Sequence, residues 1–212
     1  MNARYWILAG TRLPDGTCGY DYSQPDATLP ATGWELRSLA IDMDQCAKLM
    51  EEGTPTTRPD TPASTLSSPS MNDVASPNLT GYYAWQQVMW RDVLNIVLTY
   101  DVTQIGWTSD GSHVTSGVPA IFLYEDDDTQ WRLDGYQIKH TLASDHSTFM
   151  GNTISQFHNS YFCFPMPTVY TFYYYNKMWG FPDGHATRSQ STDTISECAP
   201  LHVDIYSAYG KF

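Results

Sequence analysis

Apolar and polar residues alternate along several short stretches of the chain, which is the pattern of β-strands with one buried face. Three stretches show this alternation: residues 94–100, 136–142 and 201–206. Four others are rich in the aromatic and β-branched residues that favour strands: residues 3–8, 34–41, 120–124 and 168–175. Short strands separated by turn residues predict a mainly β fold, either an antiparallel β-sandwich or a barrel.

Two stretches predict short helices within this β fold. Asp44 can cap a run that ends at Gly53, where a C-terminal cap belongs, and apolar residues within the run form a stripe at helical spacing. Residues 82–93 also carry apolar side chains at helical spacing, although their aromatic content suits a strand as well. We therefore expect one or two short helices beside the strands.

The composition restricts the partners of the protein. Hydrophobic residues make up 42% of the 212 positions and charged residues only 16%, which argues against a disordered or coiled-coil chain. The formal net charge of −12 repels nucleic-acid phosphates and anionic lipid headgroups. No apolar run is long enough to span a bilayer. We expect neither nucleic acid nor a membrane span, and the oligomeric state is left open.

The length favours one domain over residues 1–212, with one segment of different composition inside it. Between residues 53 and 80, 16 of the 28 positions are Pro, Ser or Thr, and no aromatic residue occurs. Proline blocks helices and central strands, and so polar a segment buries too little apolar surface to offset its ordering entropy. These residues are predicted to form an exposed loop or linker, which contains a glycosylation sequon at Asn78.

The four cysteines, Cys18, Cys46, Cys163 and Cys198, indicate the compartment. No two of them have the two-residue spacing of zinc ribbons or thioredoxin-like motifs, which favours two disulfides. Of the three connectivities we favour Cys18–Cys46 with Cys163–Cys198, because each loop then closes within one half of the chain. Four buried thiols in a cytosolic protein are the alternative. The apolar run at the N-terminus is too short for a secretory signal, so we expect the mature form of a secreted protein.

One set of segments resembles a known pattern. Residues 90–93 (Trp-Arg-Asp-Val) and residues 105–114, which contain Trp-Thr-Ser-Asp-Gly, resemble small secreted β-rich proteins of actinobacteria and fungi whose function is unknown. Residues 39–46, 52–55 and 159–163 fit the same pattern, while Val93 stands where the pattern has proline. The resemblance implies secretion and a disulfide-stapled β fold. It implies no activity.

Catalytic signatures are mostly absent from the sequence. It has no Gly-x-Ser-x-Gly, no His-Glu-x-x-His and no phosphate-binding or dinucleotide-binding glycine motif. This argues against α/β serine hydrolases, zincins, kinases and dinucleotide enzymes. Any catalytic group would therefore have to be assembled from residues that are distant in sequence.

Three residues are candidates for acid–base catalysis. His140 lies on the apolar face of its predicted strand, where it is either a hydrogen-bonded core histidine or a general base in a cleft. His202 and Asp204 share the polar face of the last predicted strand, so they can act together or belong to a solvated surface.

A run of carboxylates raises the question of a metal. Residues 125–128 are Glu-Asp-Asp-Asp at a predicted hairpin tip, and calcium prefers such oxygen ligands. Glu125, Asp126 and Asp128 are the candidate calcium ligands, although the run lacks the spacing of an EF-hand loop. A solubilising charged turn is the alternative, and we expect no other cofactor.

Aromatic residues, at 14% of the chain, give the best indication of function. The stretch 170–175 carries Tyr and Phe on both faces of one predicted strand, which a single buried face cannot accommodate. Exposed Tyr and Trp side chains are suited to stacking on sugar rings. The candidate ligand-binding residues are Trp107, Tyr173, Tyr175 and Trp179, with core packing as the alternative.

The sequence thus predicts a secreted module that binds a polysaccharide or another extracellular ligand through exposed Tyr and Trp. Two alternatives are open. One is a secreted hydrolase or lyase that acts on an extracellular polymer through the His and Asp residues named above. The other is an assembly protein whose aromatic strand faces bury against other subunits.

Overall fold

The computed structural model of the protein describes residues 4–12, 18–19, 27–28, 34–42, 44–53, 79–92, 94, 96–126, 128–159, 170–194 and 202–211. The backbone alone is described at 18–19, 27–28, 34–41, 170–174, 191–194 and 202. Within these ranges the chain forms fourteen β-strands and no helix. No helix in this part of the chain is therefore long and apolar enough to cross a membrane.

Seven antiparallel strands form the first sheet, in the order β1-β6-β5-β14-β7-β8-β9. Their bounds are Arg4–Ala9 for β1, Trp34–Asp42 for β5, Ala47–Gly53 for β6, Thr80–Arg91 for β7, Val97–Ser109 for β8, Val114–Glu125 for β9 and His202–Lys211 for β14. The three strands from before residues 54–78 lie together on one side of this sheet and the four from after them on the other, joined where β5 pairs with β14.

Five antiparallel strands form the second sheet, in the order β10-β11-β12-β13-β4. Their bounds are Ala27–Thr28 for β4, Arg132–Leu142 for β10, Phe149–Asn159 for β11, Tyr170–Gly180 for β12 and Ala186–Thr194 for β13. A two-stranded ribbon is formed by β2, Thr11–Arg12, and β3, Cys18–Gly19.

The two sheets pack face to face as an open sandwich rather than a closed barrel. Asp101 and Thr103 on β8 bond to Ser155 and Thr153 on β11, which shows that the odd-numbered residues of β8 face the second sheet. Side chains alternate along a strand, so the even-numbered residues of β8 from Tyr100 onward face away from it. Leu98, at the register shift opposite Trp90 and Arg91, packs between the sheets. The prediction of a mainly β, antiparallel fold is confirmed.

The space between the sheets contains two apolar clusters with polar residues between them. Along β7, Ala84 belongs to one cluster and Val88 to the other, while Gln86 lies between them. The first cluster consists of Cys46, Met50, Val88, Trp90, Leu98, Trp131, Phe157, Val203 and Ile205. The second consists of Ala84, Ile105, Trp107, Val114, Phe149, Met178 and Ala186.

Both predicted helices are wrong. The run between Asp44 and Gly53 forms a turn followed by strand β6, in which Lys48 and Met50 are buried. This strand is hydrogen-bonded to β1 on one side and β5 on the other, and those ladders satisfy its backbone groups without a helix. Most of the second predicted helix, 82–93, lies in β7, a central strand between β14 and β8.

The predicted strand 94–100 begins too early. Asp92 accepts hydrogen bonds on its carboxylate from the amides of Leu94 and Ile96, at 2.9 and 2.8 Å, and so forms a turn. Leu94 is 76% exposed and Ile96 45%, and β8 starts only at Val97. The apolar alternation thus extends into an exposed turn, where it marks no buried strand face.

Several predictions fall partly or wholly outside the described residues. These include the segment 54–78 with its sequon, and Cys163 and Cys198. Cys46 is buried and holds no free thiol. The backbone of Cys18 pairs with Arg12, whose guanidinium donates to the carbonyl of Asp44 at 3.2 Å. The ribbon therefore lies beside the turn that contains Cys46.

Candidate functional site

The side of the seven-stranded sheet that faces away from the second sheet, here called the outer face, combines buried polar groups with exposed aromatic rings. Its residues follow from strand alternation and cross-strand register. They are Trp85, Gln87, Met89 and Arg91 on β7, Tyr100, Val102 and Gln104 on β8, Phe122 and Tyr124 on β9, and Asp204 and Tyr206 on β14.

Two glutamines lie near the centre of the outer face. Gln87 is 1% exposed and Gln104 is 2% exposed. Gln87 is opposite Val102 and Gln104 opposite Trp85, which makes the two glutamines diagonal neighbours on adjacent strands. The Nε2 and Oε1 atoms of Gln87 and the Oε1 atom of Gln104 have no hydrogen-bond partner among the described residues. Buried amide groups of native proteins are normally satisfied, so these atoms are exceptions that require an explanation.

A buried ion pair lies next to the glutamines. The Nε of Arg91 donates to Oδ2 of Asp204 at 2.9 Å, and both side chains are almost fully buried. The hydroxyl of Tyr206 lies 3.4 Å from the same carboxylate oxygen, and Tyr206 is directly opposite Gln87. The ion pair supplies opposite charges that compensate each other, so this part of the outer face is polar without a net charge.

The outer face becomes exposed and aromatic toward its edge at β9. The rings of Tyr100 and Tyr124 stack with centroids 4.9 Å apart and an angle of 8° between their planes. Phe122 is 39% exposed and Tyr124 37% exposed, and Phe122 lies two residues before Tyr124 on the same side of the strand. Exposed aromatic rings at this edge therefore adjoin the buried polar centre of the outer face.

This combination is suited to binding an elongated, hydroxyl-rich ligand. Aromatic faces stack on the apolar C–H surfaces of sugar rings, while carboxamides offer both a donor and an acceptor to hydroxyl groups.

The predicted ligand-binding aromatics do not lie on the outer face. Trp107 is fully buried, and its Nε1 donates to the carbonyl of Phe181 at 2.9 Å, so it belongs to the core and not to an exposed platform. Tyr175 and Trp179 are half-buried on β12, on the side of the second sheet that faces away from the first. Tyr173 is in the same strand, and its side chain lies outside the described residues.

The three predicted acid–base residues are dispersed. His140 is exposed on β10, with its ring centroid 5.9 Å from that of Phe149. Asp204 is buried on the outer face rather than solvated, paired with Arg91. His202 begins β14, and its side chain lies outside the described residues. His140 and Asp204 are thus in different sheets.

The predicted calcium ligands act in a turn. Glu125 accepts a hydrogen bond from the amide of Leu133. Asp126 accepts from the hydroxyl of Thr129 at 2.8 Å and from the amide of Asp128 at 3.3 Å. Within the described residues, no group of three or more metal-ligating side chains is found, and the calcium site remains a prediction.

Sequence reasoning missed Gln87, Gln104, Arg91 and the pair of Tyr100 with Tyr124. The prediction of a helix over residues 82–93 hid the position of Gln87. In a strand, Gln87 lies on one face between Trp85 and Met89. The stacking of Tyr100 on Tyr124 depends on the register between β8 and β9, which no local pattern shows.

Comparison with known proteins does not assign the chain. No protein-family model matches this sequence, and no curated protein is significantly similar to it.

Proposed function

We propose that this protein is a secreted binding module that takes a polysaccharide chain on the outer face of its seven-stranded sheet and carries out no chemistry of its own. The observation that carries the proposal is the stacked pair of Tyr100 and Tyr124 at the exposed edge, beside Phe122.

The arrangement favours a polymer over a small ligand. Exposed rings extend along β9, and the polar groups lie on β7 and β8, so the site crosses several adjacent strands. Neighbouring strands are about 4.8 Å apart, and three strands therefore span roughly two sugar rings. A chain of sugars can place successive rings on the exposed side chains of Phe122 and Tyr124.

Secretion and disulfide stapling are part of the same proposal. Cys46 holds no free thiol, and the backbone of Cys18 lies in the ribbon beside its turn, which supports a Cys18–Cys46 bridge. Disulfides persist in oxidising compartments, where extracellular polysaccharides are found.

A second candidate function, a hydrolase or lyase for the same polymer, is favoured by one observation. Asp204 is a carboxylate on the face that carries the aromatic edge, and the hydroxyl of Tyr206 lies close to it. Polymer cleavage can use such groups in acid–base catalysis.

The experiment is a depletion assay against insoluble cellulose, xylan, mannan and chitin, with released reducing ends measured in the same tubes. We expect depletion without release, and a loss of roughly tenfold in affinity, equal to about 1.4 kcal/mol, for Tyr124→Ala. The matched control is Trp179→Ala, which removes a half-buried aromatic from the second sheet and should bind as the wild type does. Release of reducing ends would establish the enzyme instead, and loss of binding only in Trp179→Ala would move the site to the second sheet.

A further inference from the structure

We propose that strand β10, at the edge of the second sheet, is a dimerisation surface that pairs antiparallel with the same strand of a second copy of this chain. The strand lies outside the outer face, and the inference does not rest on the proposed function.

β10 has a free edge that is long enough to add a strand. It is the terminal strand of its sheet over 11 residues, and within the described residues only β11 pairs with it. The amide of Ala143 donates to the carbonyl of Thr148 at 2.9 Å, which closes the hairpin with a hydrogen-bonded pair. Such pairs alternate along an antiparallel ladder, so the backbone groups of Tyr136, Ile138 and His140 point away from β11. Another strand can bond to them.

Two of these residues also present exposed apolar side chains where the sandwich is open. Tyr136 is opposite Ser155 and Ile138 is opposite Thr153, so both side chains point to the side of the second sheet that faces the first. Ser155 and Thr153 are fully buried there, whereas Tyr136 is 57% exposed and Ile138 39% exposed. The first sheet therefore covers β11 and leaves β10 largely uncovered. Burial of these two side chains by another molecule would be favourable.

The neighbouring edge strand is blocked in a way that β10 is not. β9 is the terminal strand of the first sheet on this side and contains Pro119 near its middle. Proline supplies no amide hydrogen and is one of the devices that prevent pairing at an edge. Residues 132–142 contain no proline, and the bulge between Leu133 and Gly135 lies at one end of the strand. The remainder of β10 is regular.

The sequence of β10 fits a second copy of itself. Because the even-numbered residues carry the outward backbone groups, a two-fold pairing must place even-numbered residues opposite even-numbered ones. With the two-fold axis at Gln137, Tyr136 of each copy is opposite Ile138 of the other. An aromatic ring opposite a β-branched side chain is a favourable cross-strand pair, and the symmetry forms it twice.

The charges of β10 fit the same register. Lys139 would be opposite Gly135 of the other copy, which has no side chain and is adjacent to Asp134. The carboxylate of Asp134 accepts from Gln156 at 2.9 Å, and Gln156 is opposite Gly135, so Asp134 lies on the side of the strand that Lys139 occupies. With Arg132 and Lys139 against Asp134, this edge also lacks the excess of negative charge found in the chain as a whole, so two copies can approach there.

Sedimentation velocity of the full chain between roughly 1 μM and 1 mM measures the association. We expect a reversible dimer for the wild type, and Ile138→Pro and Ile138→Lys should each raise its dissociation constant at least tenfold. Proline at this position removes only an outward amide, so the ladder between β10 and β11 is kept. Urea unfolding checks that both variants fold. The matched control is Ile7→Lys, at a 63% exposed position on the edge strand β1, which should dimerise as the wild type does.

Gln137→Cys tests the register, because a residue on the two-fold axis is opposite itself. Its Cα atoms would be about 4.5 Å apart in the dimer, within reach of a disulfide. Mild oxidation should therefore link two copies of Gln137→Cys. It should not link two copies of Lys139→Cys, whose Cα atoms would be more than about 13 Å apart. The wild type gives the background from the native cysteines.

Four outcomes would overturn the inference. A wild type that is monomeric over the whole range would refute the dimer, and a monomer that still binds polysaccharide would leave the proposed function standing. A dimer that Ile138→Lys leaves intact would place the interface elsewhere, at β1 if Ile7→Lys disperses it. A link through Lys139→Cys in place of Gln137→Cys would refute the register. If neither variant of Ile138 folds, the cross-linking decides, and the absence of a Gln137→Cys link above background would refute the pairing.

Discussion

Asn176 on β12 donates a hydrogen bond from Nδ2 to the carboxylate of Asp101 on β8, at 3.1 Å, in the fully buried space between the two sheets. The other end of the same amide accepts from Nε2 of Gln86 on β7, also at 3.1 Å. Gln86 in turn accepts from the guanidinium of Arg188 on β13 at 3.5 Å. Two carboxamides thus connect a buried anion in one sheet to a buried cation in the other.

This chain of hydrogen bonds explains how a polar layer persists between two apolar clusters. Asp101 also accepts from Ser155 at 2.5 Å and from Thr103 at 3.1 Å, so its carboxylate is well supplied with donors. Each amide can satisfy both neighbours only in one orientation, because its donor and acceptor ends differ. We infer that the layer fixes how the sheets are aligned, since sliding either sheet would leave charged groups unpaired.

The first prediction concerns the pH dependence of stability. Burial raises the pKa of Asp101 to about 6, against hydrogen bonds from Ser155, Thr103 and Asn176 that lower it. A folded-state pKa above the unfolded value means that the native state binds the proton more tightly, so this contribution is greatest at low pH and is lost as pH rises from about 4 to about 6. A rise of about two pKa units corresponds to about 3 kcal/mol.

Urea unfolding of the wild type and of Asp101→Asn at pH 4 and pH 7 checks this prediction. The unfolding free energy at pH 7 minus that at pH 4 should be about 3 kcal/mol smaller for the wild type than for Asp101→Asn. The surface carboxylates are common to both proteins and cancel in the comparison. Parallel pH profiles would mean that Asp101 does not titrate in this range.

The second prediction concerns Lys48, a buried lysine on β6. Burial lowers its pKa to about 7, and its Nζ lies 4.9 Å from the centroid of the Trp90 ring. A folded-state pKa below the unfolded value means that the unfolded chain binds the proton more tightly, so stability increases as pH rises from about 7 to about 10.

Replacing the ammonium group with a thioether should remove that pH dependence. Lys48→Met is expected to be about 3 kcal/mol more stable than the wild type at pH 6, with part of the gain offset by the lost contact with Trp90. Thermal or urea unfolding at pH 6 and pH 10 measures the effect, and the two proteins should converge at the higher pH. A variant that is less stable at pH 6 would show that the charge of Lys48 is stabilised by its surroundings.

The sequence predicted the strands well where apolar alternation coincides with burial between the sheets. Residues 201–206 are an example, because Val203 and Ile205 lie in the core and β14 is a central strand. The prediction was wrong where the spacing of apolar residues fits both a helix and a strand. Cys46 and Met50 have helical spacing, but the alternation of Lys48 with its half-buried neighbours and the two adjacent strands determine the structure.

The site was less predictable than the fold, for a physical reason. Its parts meet through register between strands, such as the pairing of Tyr100 with Tyr124 and of Tyr206 with Gln87. Register is set by the whole sheet and leaves no trace in a short window of sequence. The partnerless state of Gln87 is likewise a property of its surroundings and not of its neighbours in sequence.

The third prediction concerns the disulfides. Intact mass of the denatured protein should increase by about two hydrogens per bridge on reduction, and peptide mapping should pair Cys18 with Cys46. Cys46→Ala is expected to lower the unfolding free energy by roughly 2–4 kcal/mol under oxidising conditions. An unchanged mass would remove the argument for secretion, and a Cys46 peptide linked to Cys163 or Cys198 would refute the favoured connectivity.

The last prediction concerns two glycines with similar backbone and different surroundings. Gly184 has φ 90° in the turn between β12 and β13, and a Cβ there would overlap the ring of Tyr82. Gly111 has φ 93° in the turn between β8 and β9, and a Cβ there would meet no atom within 4 Å. Alanine at Gly111 should therefore cost about 1 kcal/mol from backbone strain alone.

Alanine at Gly184 should lower the unfolding free energy by about 3 kcal/mol or more, because the ring of Tyr82 must also move. That ring stacks on Trp107 with the centroids 5.6 Å apart. Urea unfolding of both variants measures the difference, and Gly184→Ala combined with Tyr82→Ala separates the two causes. If Gly184→Ala lowers the unfolding free energy only as much as Gly111→Ala once Tyr82 is already alanine, the turn is held by packing of Tyr82 against Gly184. An unchanged cost would place it in the backbone of the turn instead.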